Sequence, residues 1–178
     1  MTRLVPLPQR KSMRLPGWDY RRADWCFVTI CTRRRARCLA RSQAGKLILT
    51  DAGRVAATSW QMLKVLNPEI DLDAWVVMPD HFHGLIRPAG AGRSLERGPG
   101  RPKRPLRHWQ PGTLGVLINQ FKRAVTHELR RRQIAWPGWH RGYHDRVVRD
   151  NAALPRIRRY IELNPQRWLA HAKRTGAR

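Results

Sequence analysis

Two histidines, His81 and His83, stand two residues apart in an apolar segment with the sequence HFHGLIR. On a β-strand, residues two apart point to the same face, so both imidazoles leave one face while Phe82 points to the other. Imidazole binds divalent metals at neutral pH without adding negative charge. The spacing therefore indicates half of a metal site. Two exposed or hydrogen-bonded histidines without a metal are the alternative that it leaves open.

A tyrosine and an asparagine lie four residues apart in the segment YIELNP near the C-terminal end. On a helix this spacing places Tyr160 and Asn164 one above the other. A phenol can act as a covalent nucleophile, and an amide oxygen can complete the coordination of a hard cation. Ordinary boundary packing of Tyr160, and a helix that ends at Asn164 before Pro165, are the alternatives.

The chain carries a large excess of positive charge. Its 178 residues include 36 Lys plus Arg against 12 Asp plus Glu, which gives a formal net charge of +24. Such a charge repels itself unless a polyanion neutralises it, and the composition indicates nucleic acid. A membrane surface is disfavoured because the basic residues do not flank an apolar segment, and no apolar run approaches the roughly 18 residues of a membrane span.

The chain length suits one compact domain. Its three cysteines, Cys26, Cys31 and Cys38, are too few and too close together for a disulfide framework, which agrees with a reducing compartment. Residues 1–14 lack the apolar centre of a signal peptide. We therefore expect a cytoplasmic protein.

Strands are predicted where short apolar, β-branched runs end at turn residues. Four segments have this character: 25–32, 72–78, 81–87 and 143–149. The second and third are separated by Pro79 and Asp80, a turn pair, and so form a hairpin. The histidine pair then opens the second arm of this hairpin.

Helices are predicted from their caps and from their apolar stripes. One runs from Thr50 to about Leu66, one covers residues 113–131, and the last begins at Asn151 and ends at Pro165. The order of the elements predicts an α+β fold with a ferredoxin-like, RRM-like palm. Helices cover one face of an antiparallel sheet, and a C-terminal helix carries Tyr160.

The folded domain is predicted to cover residues 24–169, between a basic N-terminal arm (1–23) and a basic C-terminal tail (170–178). Within it, residues 88–112 are rich in Gly, Pro, Arg and Lys. This composition cannot build a core, so we expect a flexible basic loop.

The ordered motifs resemble those of the single-tyrosine HUH transposases, and most closely the REP-associated tyrosine transposases, named for repetitive extragenic palindromes. The resemblance consists of the histidine pair after WVVMPD, a basic amphipathic helix, and YHDRVVRD followed by YIELNP. It covers roughly residues 25–169. Asp80 departs from the family pattern, since many relatives have Asn there.

The resemblance implies roles for the candidate residues. His81 and His83 would bind a catalytic Mg²⁺ or Mn²⁺, with Asn164 as the third ligand, and Tyr160 would attack a phosphodiester. The product would be a 5′-phosphotyrosine link with a free 3′-hydroxyl. Because the link keeps the phosphodiester energy, a second 3′-hydroxyl could rejoin the strand without a nucleotide cofactor.

The resemblance also implies a bacterial protein whose partner is single-stranded, hairpin-forming DNA such as REP-like elements, and which is nucleoid-associated when bound. Both a monomer and a domain-exchanged homodimer occur among similar proteins. Lys122, Arg123, Arg146 and Arg149 are basic residues predicted to contact phosphates.

Two other functions remain open. The chain could be a nucleic-acid-binding module without chemistry, because composition alone supports binding equally well. It could also be a metal-dependent nuclease that activates water, with Tyr160 only structural.

Overall fold

A computed structural model of the protein describes residues 24–89 and 112–175. The predictions for the N-terminal arm, for most of the 88–112 loop and for residues 176–178 fall outside the described residues.

A four-stranded antiparallel sheet lies at the centre of the fold. The described residues contain six strands: β1 (Cys26–Cys31), β2 (Ala40–Gln43), β3 (Lys46–Leu49), β4 (Asp71–Val77), β5 (His81–Arg87) and β6 (His144–Val147). The central sheet has the order β4-β5-β1-β6, which is the ferredoxin-like arrangement predicted from the order of elements. β1 and β5 occupy the middle, with Thr29 beside His83 and Cys31 beside His81.

Two helices cover one face of this sheet. α1 (Asp51–Leu66) begins where the Thr50 hydroxyl accepts a hydrogen bond from the Gly53 N–H at 3.1 Å, and α2 (Leu114–Arg131) follows the 88–112 segment. Trp60 of α1 and Phe121 of α2 pack around Phe82, with ring centroids 4.8 and 5.3 Å from that of Phe82. The predicted orientation of Phe82, away from the histidines, is therefore confirmed.

The third helix, α3 (Leu154–Thr175), crosses the opposite face of the sheet. Its Leu154 and Ile161 are buried with Leu85 of β5. The prediction that Pro165 ends this helix is wrong, because α3 continues beyond it. Proline removes one backbone donor from the helix, but residues after it have their own contacts, such as Trp168, which lies 5.6 Å from the Arg37 guanidinium.

A second, two-stranded sheet was not predicted. β2 and β3 pair through a turn at Ala44 and Gly45, whose φ angles are 47° and 74°. Positive φ at both central residues is the type I′ turn that joins tight hairpins. The usual Asn-Gly or Asp-Gly signal is absent from this turn, and β2, with the sequence ARSQ, lacks an apolar run.

None of the helices within residues 24–89 and 112–175 combines the length and the apolar character that crossing a membrane requires.

The position of Gly84 in β5 gives a stability prediction. A Cβ atom there would lie 2.6 Å from Cζ2 of Trp60, which is fully buried. Gly84→Ala should therefore lower the free energy of unfolding by about 1–3 kcal/mol through overpacking, as measured by denaturant titration. Gly142→Ala is the matched control, because its nearest new contact, with His140, is an ordinary 3.8 Å. Equal effects of the two substitutions would contradict the packing of Trp60 against β5.

Candidate active site

The two histidines converge at the start of β5. The turn at Pro79 and Asp80 returns the chain from β4, and the Met78 N–H donates to the His81 carbonyl at 2.8 Å. From here both imidazoles leave the face that α3 covers, and their Nε2 atoms are 3.1 Å apart. The predicted placement of the pair on one face is therefore confirmed.

The other nitrogen of each ring is held by a neighbouring side chain. His81 Nδ1 lies 2.6 Å from Asp80 Oδ1, and His83 Nδ1 lies 2.9 Å from the Thr29 hydroxyl. An ionised carboxylate only accepts hydrogen bonds, so His81 Nδ1 must carry the proton and, in the neutral ring, Nε2 is an acceptor. The facing Nε2 atoms then need either one shared proton or one cation between them.

A divalent cation fits the spacing of these atoms. With metal–nitrogen bonds of about 2.1 Å, two nitrogens 3.1 Å apart subtend an angle of about 95°, close to the right angle of octahedral coordination. Metal-binding imidazoles usually donate their second N–H to a carboxylate or another acceptor, as His81 does to Asp80.

Burial favours the neutral form of His83. Its side chain stacks on Phe27 with ring centroids 5.1 Å apart, and only 5% of the residue is exposed. This burial, together with the nearby charge of His81, lowers the pKa of His83 to about 3. Burial works against ionisation of Asp80, but the hydrogen bond and charge of His81, together with the charge of Arg35, outweigh that effect and lower the pKa of Asp80.

α3 brings Tyr160 to this pair. The ring of Tyr160 lies 5.7 Å from that of His83 and 5.9 Å from that of Phe27, and the residue is 40% exposed. Two hydrogen bonds hold this part of the helix to the sheet, from Arg158 Nε and Nη2 to Asp73 Oδ2, at 2.8 and 2.6 Å. The phenol and both imidazoles of one chain therefore share one face of its sheet.

Asn164 lies one turn beyond Tyr160 in α3 and is partly buried. Because the helix continues through Pro165, Asn164 keeps a helical backbone and stays on the same side of α3 as Tyr160. Its role as a metal ligand stays a prediction. No three His, Cys, Asp or Glu side chains form a metal cluster within residues 24–89 and 112–175, so a cation at the histidines would need oxygen ligands of another kind.

The predicted phosphate contacts lie at different places in the fold. Arg146 of β6 is exposed and pairs with Phe27 of β1, so it shares the face of the histidines. Arg149 is exposed just after β6, whereas Arg123 is exposed on α2, which covers the other face. The Lys122 ammonium donates to the carbonyls of His140 and Gly142 at 3.0 and 2.8 Å.

A group of arginines beside Tyr160 was not singled out from the sequence. A cavity of about 540 Å³ is lined by Pro155, Arg156, Arg159, Tyr160 and Arg167. The three arginines belong to the run RIRRYIELNPQR, in which helical periodicity was the only signal available to group them around the tyrosine. The sequence also did not indicate Thr29 and Phe27, which contact His83. They lie beside it through the register of β1 against β5, which local sequence patterns do not give.

Comparisons with known proteins agree with this architecture. The chain has the fold of a REP-associated tyrosine transposase whose structure was determined bound to a REP hairpin, with a TM-score of 0.55 and 18% identity over 82% of this chain and 68% of that one. The resemblance indicated by the motifs is thus confirmed at the level of the fold. A crystal structure of a candidate transposase from Deinococcus radiodurans has a TM-score of 0.44 and 16% identity, over 84% of this chain and 95% of that one.

Sequence comparison gives a relative without an assigned activity. An uncharacterised protein of Haemophilus influenzae is 28% identical over 167 residues, which cover 89% of each chain. No protein-family model matches the chain.

The burial of Lys122 gives a prediction about pH and stability. Burial lowers its pKa from 10.5 to about 8, so between these values the unfolded chain binds more protons and stability rises with pH. The free energy of unfolding of the wild type, relative to Lys122→Met, should therefore increase from pH about 8 to about 10.5. Arg123→Met serves as the exposed control and should show no such trend. Parallel pH curves for the wild type and Lys122→Met would contradict the burial of this ammonium.

Proposed function

We propose that the protein cleaves and rejoins single-stranded DNA through a covalent bond to Tyr160. The observation that carries this proposal is the distance of 5.7 Å between the rings of Tyr160 and His83, which belong to different elements of the same chain. Supporting it are the fold, shared with a REP-associated tyrosine transposase, and the net charge of +24.

Each side chain has a distinct part in the proposed reaction. His81 and His83, with Asn164, would hold a Mg²⁺ or Mn²⁺ ion, which supplies charge withdrawal from the scissile phosphate. Asp80 and Thr29 orient the two imidazoles through their Nδ1 atoms. Burial keeps His83 neutral, and donation from its Nδ1–H to the Thr29 hydroxyl would leave the Nε2 lone pair available as a ligand.

The proposed covalent step exchanges one phosphorus–oxygen bond for another. The phenol oxygen of Tyr160 bonds to the phosphorus as the bond to the 3′-oxygen breaks. The phenol loses its proton and the 3′-oxygen gains one, which leaves a 5′-phosphotyrosine link and a free 3′-hydroxyl. Attack by another 3′-hydroxyl reverses the step and joins a new end without an external energy source.

A hairpin-forming strand is the proposed substrate. The structural neighbour was determined with a REP hairpin, and we extend that class of DNA to this chain. The exposure of Tyr160 suits an unpaired strand that reaches it from solvent. Since one chain supplies both the histidines and the tyrosine, we propose that a monomer acts alone, without exchange of α3 between partners.

The covalent intermediate is the first test of this proposal. With Mn²⁺ and a 3′-labelled oligonucleotide that contains a hairpin, the wild type should form a labelled protein–DNA species that survives a denaturing gel. Tyr160→Phe should abolish this species, and Tyr143→Phe, which removes a hydroxyl elsewhere in the fold, should retain it.

Other outcomes of the gel assay separate the competing functions. Cleavage that persists in Tyr160→Phe, with free 5′-phosphate products, would replace the tyrosine mechanism with hydrolysis by water. Tight binding of several candidate hairpins by the wild type, with neither cleavage nor adduct, would favour a binding module without chemistry.

Metal affinity tests the part proposed for Asp80. Asp80→Ala removes the acceptor for His81 Nδ1 and should weaken Mn²⁺ binding by about 10–100-fold, as measured by calorimetry. Asp80→Asn keeps an oxygen acceptor and should lose less. Asp51→Ala, at the exposed start of α1, is the control and should bind as the wild type does. Affinity unchanged by Asp80→Ala, but lost in His81→Ala, would remove Asp80 from the site.

A further inference from the structure

Three arginines surround Tyr160 on the exposed side of α3. Arg156, Arg159 and Arg167 line the same cavity of about 540 Å³ as the tyrosine. Arg156 lies one helical turn before Tyr160 and Arg159 immediately precedes it, and all three arginines are exposed. Arg167 lies two turns further along, yet its guanidinium carbon is 5.7 Å from the centre of the Tyr160 ring. Its side chain therefore runs back toward the N-terminus of the helix, as long side chains on helices do.

The charges of these arginines are not neutralised by the folded part of the chain. No carboxylate within residues 24–89 and 112–175 forms an ion pair with Arg156, Arg159 or Arg167. Their neighbour Arg158 differs, because it gives two hydrogen bonds to Asp73. Arg158 thus attaches α3 to β4. The other three arginines line the cavity, where their N–H donors are available to a ligand.

Like charges gathered around one cavity raise the electrostatic potential there and attract anions. Guanidinium groups present a planar fork of donors that matches the oxygens of a phosphate. Three positive charges exceed the single charge of one phosphodiester, so several consecutive phosphates are needed to balance them. The cavity is open to solvent, and its volume of about 540 Å³ allows a nucleotide unit with its phosphate to lie along it.

We propose that Arg156, Arg159 and Arg167 form a phosphate-binding subsite that holds the DNA strand on either side of the phosphate that Tyr160 attacks. The assignment of the strand as DNA rests on the proposed function. The three arginines are positioning residues: they bind phosphates that do not react and keep the reacting one in place beside the phenol. Arg167 completes the subsite by covering the ring of Tyr160.

The salt dependence of binding tests the subsite without any cleavage. In a Tyr160→Phe background without metal, the affinity for a labelled oligothymidine is measured by fluorescence anisotropy over a range of salt concentrations. Each phosphate contact contributes about 0.7 to the slope of log affinity against log salt for single strands. The triple substitution Arg156→Gln, Arg159→Gln and Arg167→Gln should therefore reduce the slope by about 2.

A charge-matched variant separates a defined subsite from a diffuse positive surface. Arg41→Gln, Arg130→Gln and Arg141→Gln remove the same charge from three exposed positions elsewhere in the fold, and should leave the slope close to that of the parent. Equal reductions in both triple variants would overturn the proposal, because binding would then depend on total charge alone.

Inorganic phosphate distinguishes a strand from a small free anion. At ionic strength matched with chloride, phosphate should stabilise the parent and the arginine triple variant equally in thermal unfolding. Saturable stabilisation of the parent alone, with an unchanged slope for DNA, would overturn the assignment to a strand.

The test is independent of the covalent chemistry. A reduced slope together with no tyrosine adduct in the wild type would support the subsite and reject the proposed reaction. An adduct together with an unchanged slope would support the proposed reaction and reject the subsite.

Discussion

The alternation of side chains along β5 is the constraint on which the rest of the structure depends. Phe82 enters the core beneath α1 and α2, where Trp60 and Phe121 surround it, so His81 and His83 must face the other side. A shift of one residue in the register would drive both imidazoles into an apolar core and expose Phe82. Packing of the aromatic core on one face of the sheet therefore fixes both histidines on the other face. The hydrogen bonds to their Nδ1 atoms then set the rotation of each ring.

On the face of the sheet that carries the histidines, the position of Tyr160 depends on how α3 is attached. Ile161 packs on Leu85, and Arg158 is fastened to Asp73 of β4, so the turn of helix that carries Tyr160 is anchored on both sides. In-line attack tolerates little displacement of the attacking oxygen, which makes such anchoring part of the proposed chemistry. The continuation of the helix past Pro165 adds a further contact, between Trp168 and Arg37.

Acidic side chains form ion pairs within the fold, whereas positive charge is in excess. The few acidic residues are largely engaged within the fold: Asp73 binds Arg158, Asp80 binds His81, and Glu128 binds two arginines at the end of α2. Most of the positive charge is therefore left for an external polyanion. The buried His83 is neutral at neutral pH, because its pKa is lowered to about 3. The result is a histidine pair beside a strongly basic rim, an arrangement suited to a bound phosphate chain.

Sequence alone determined the features that depend on local patterns: the alternation that pairs His81 with His83, the Thr50 cap, the hairpin at Pro79, and the order of elements that defines a ferredoxin-like sheet. These follow from period, turn residues and capping, which act over a few neighbouring positions. Only the tertiary structure decided the rest. It carried α3 through Pro165 to a contact between Trp168 and Arg37, which are far apart in the sequence, and it turned Lys122 inward onto two carbonyls. It also docked α3 on the sheet, and so brought Tyr160 and the three arginines around it to the histidines, because packing between elements distant in the sequence decides which side chains meet.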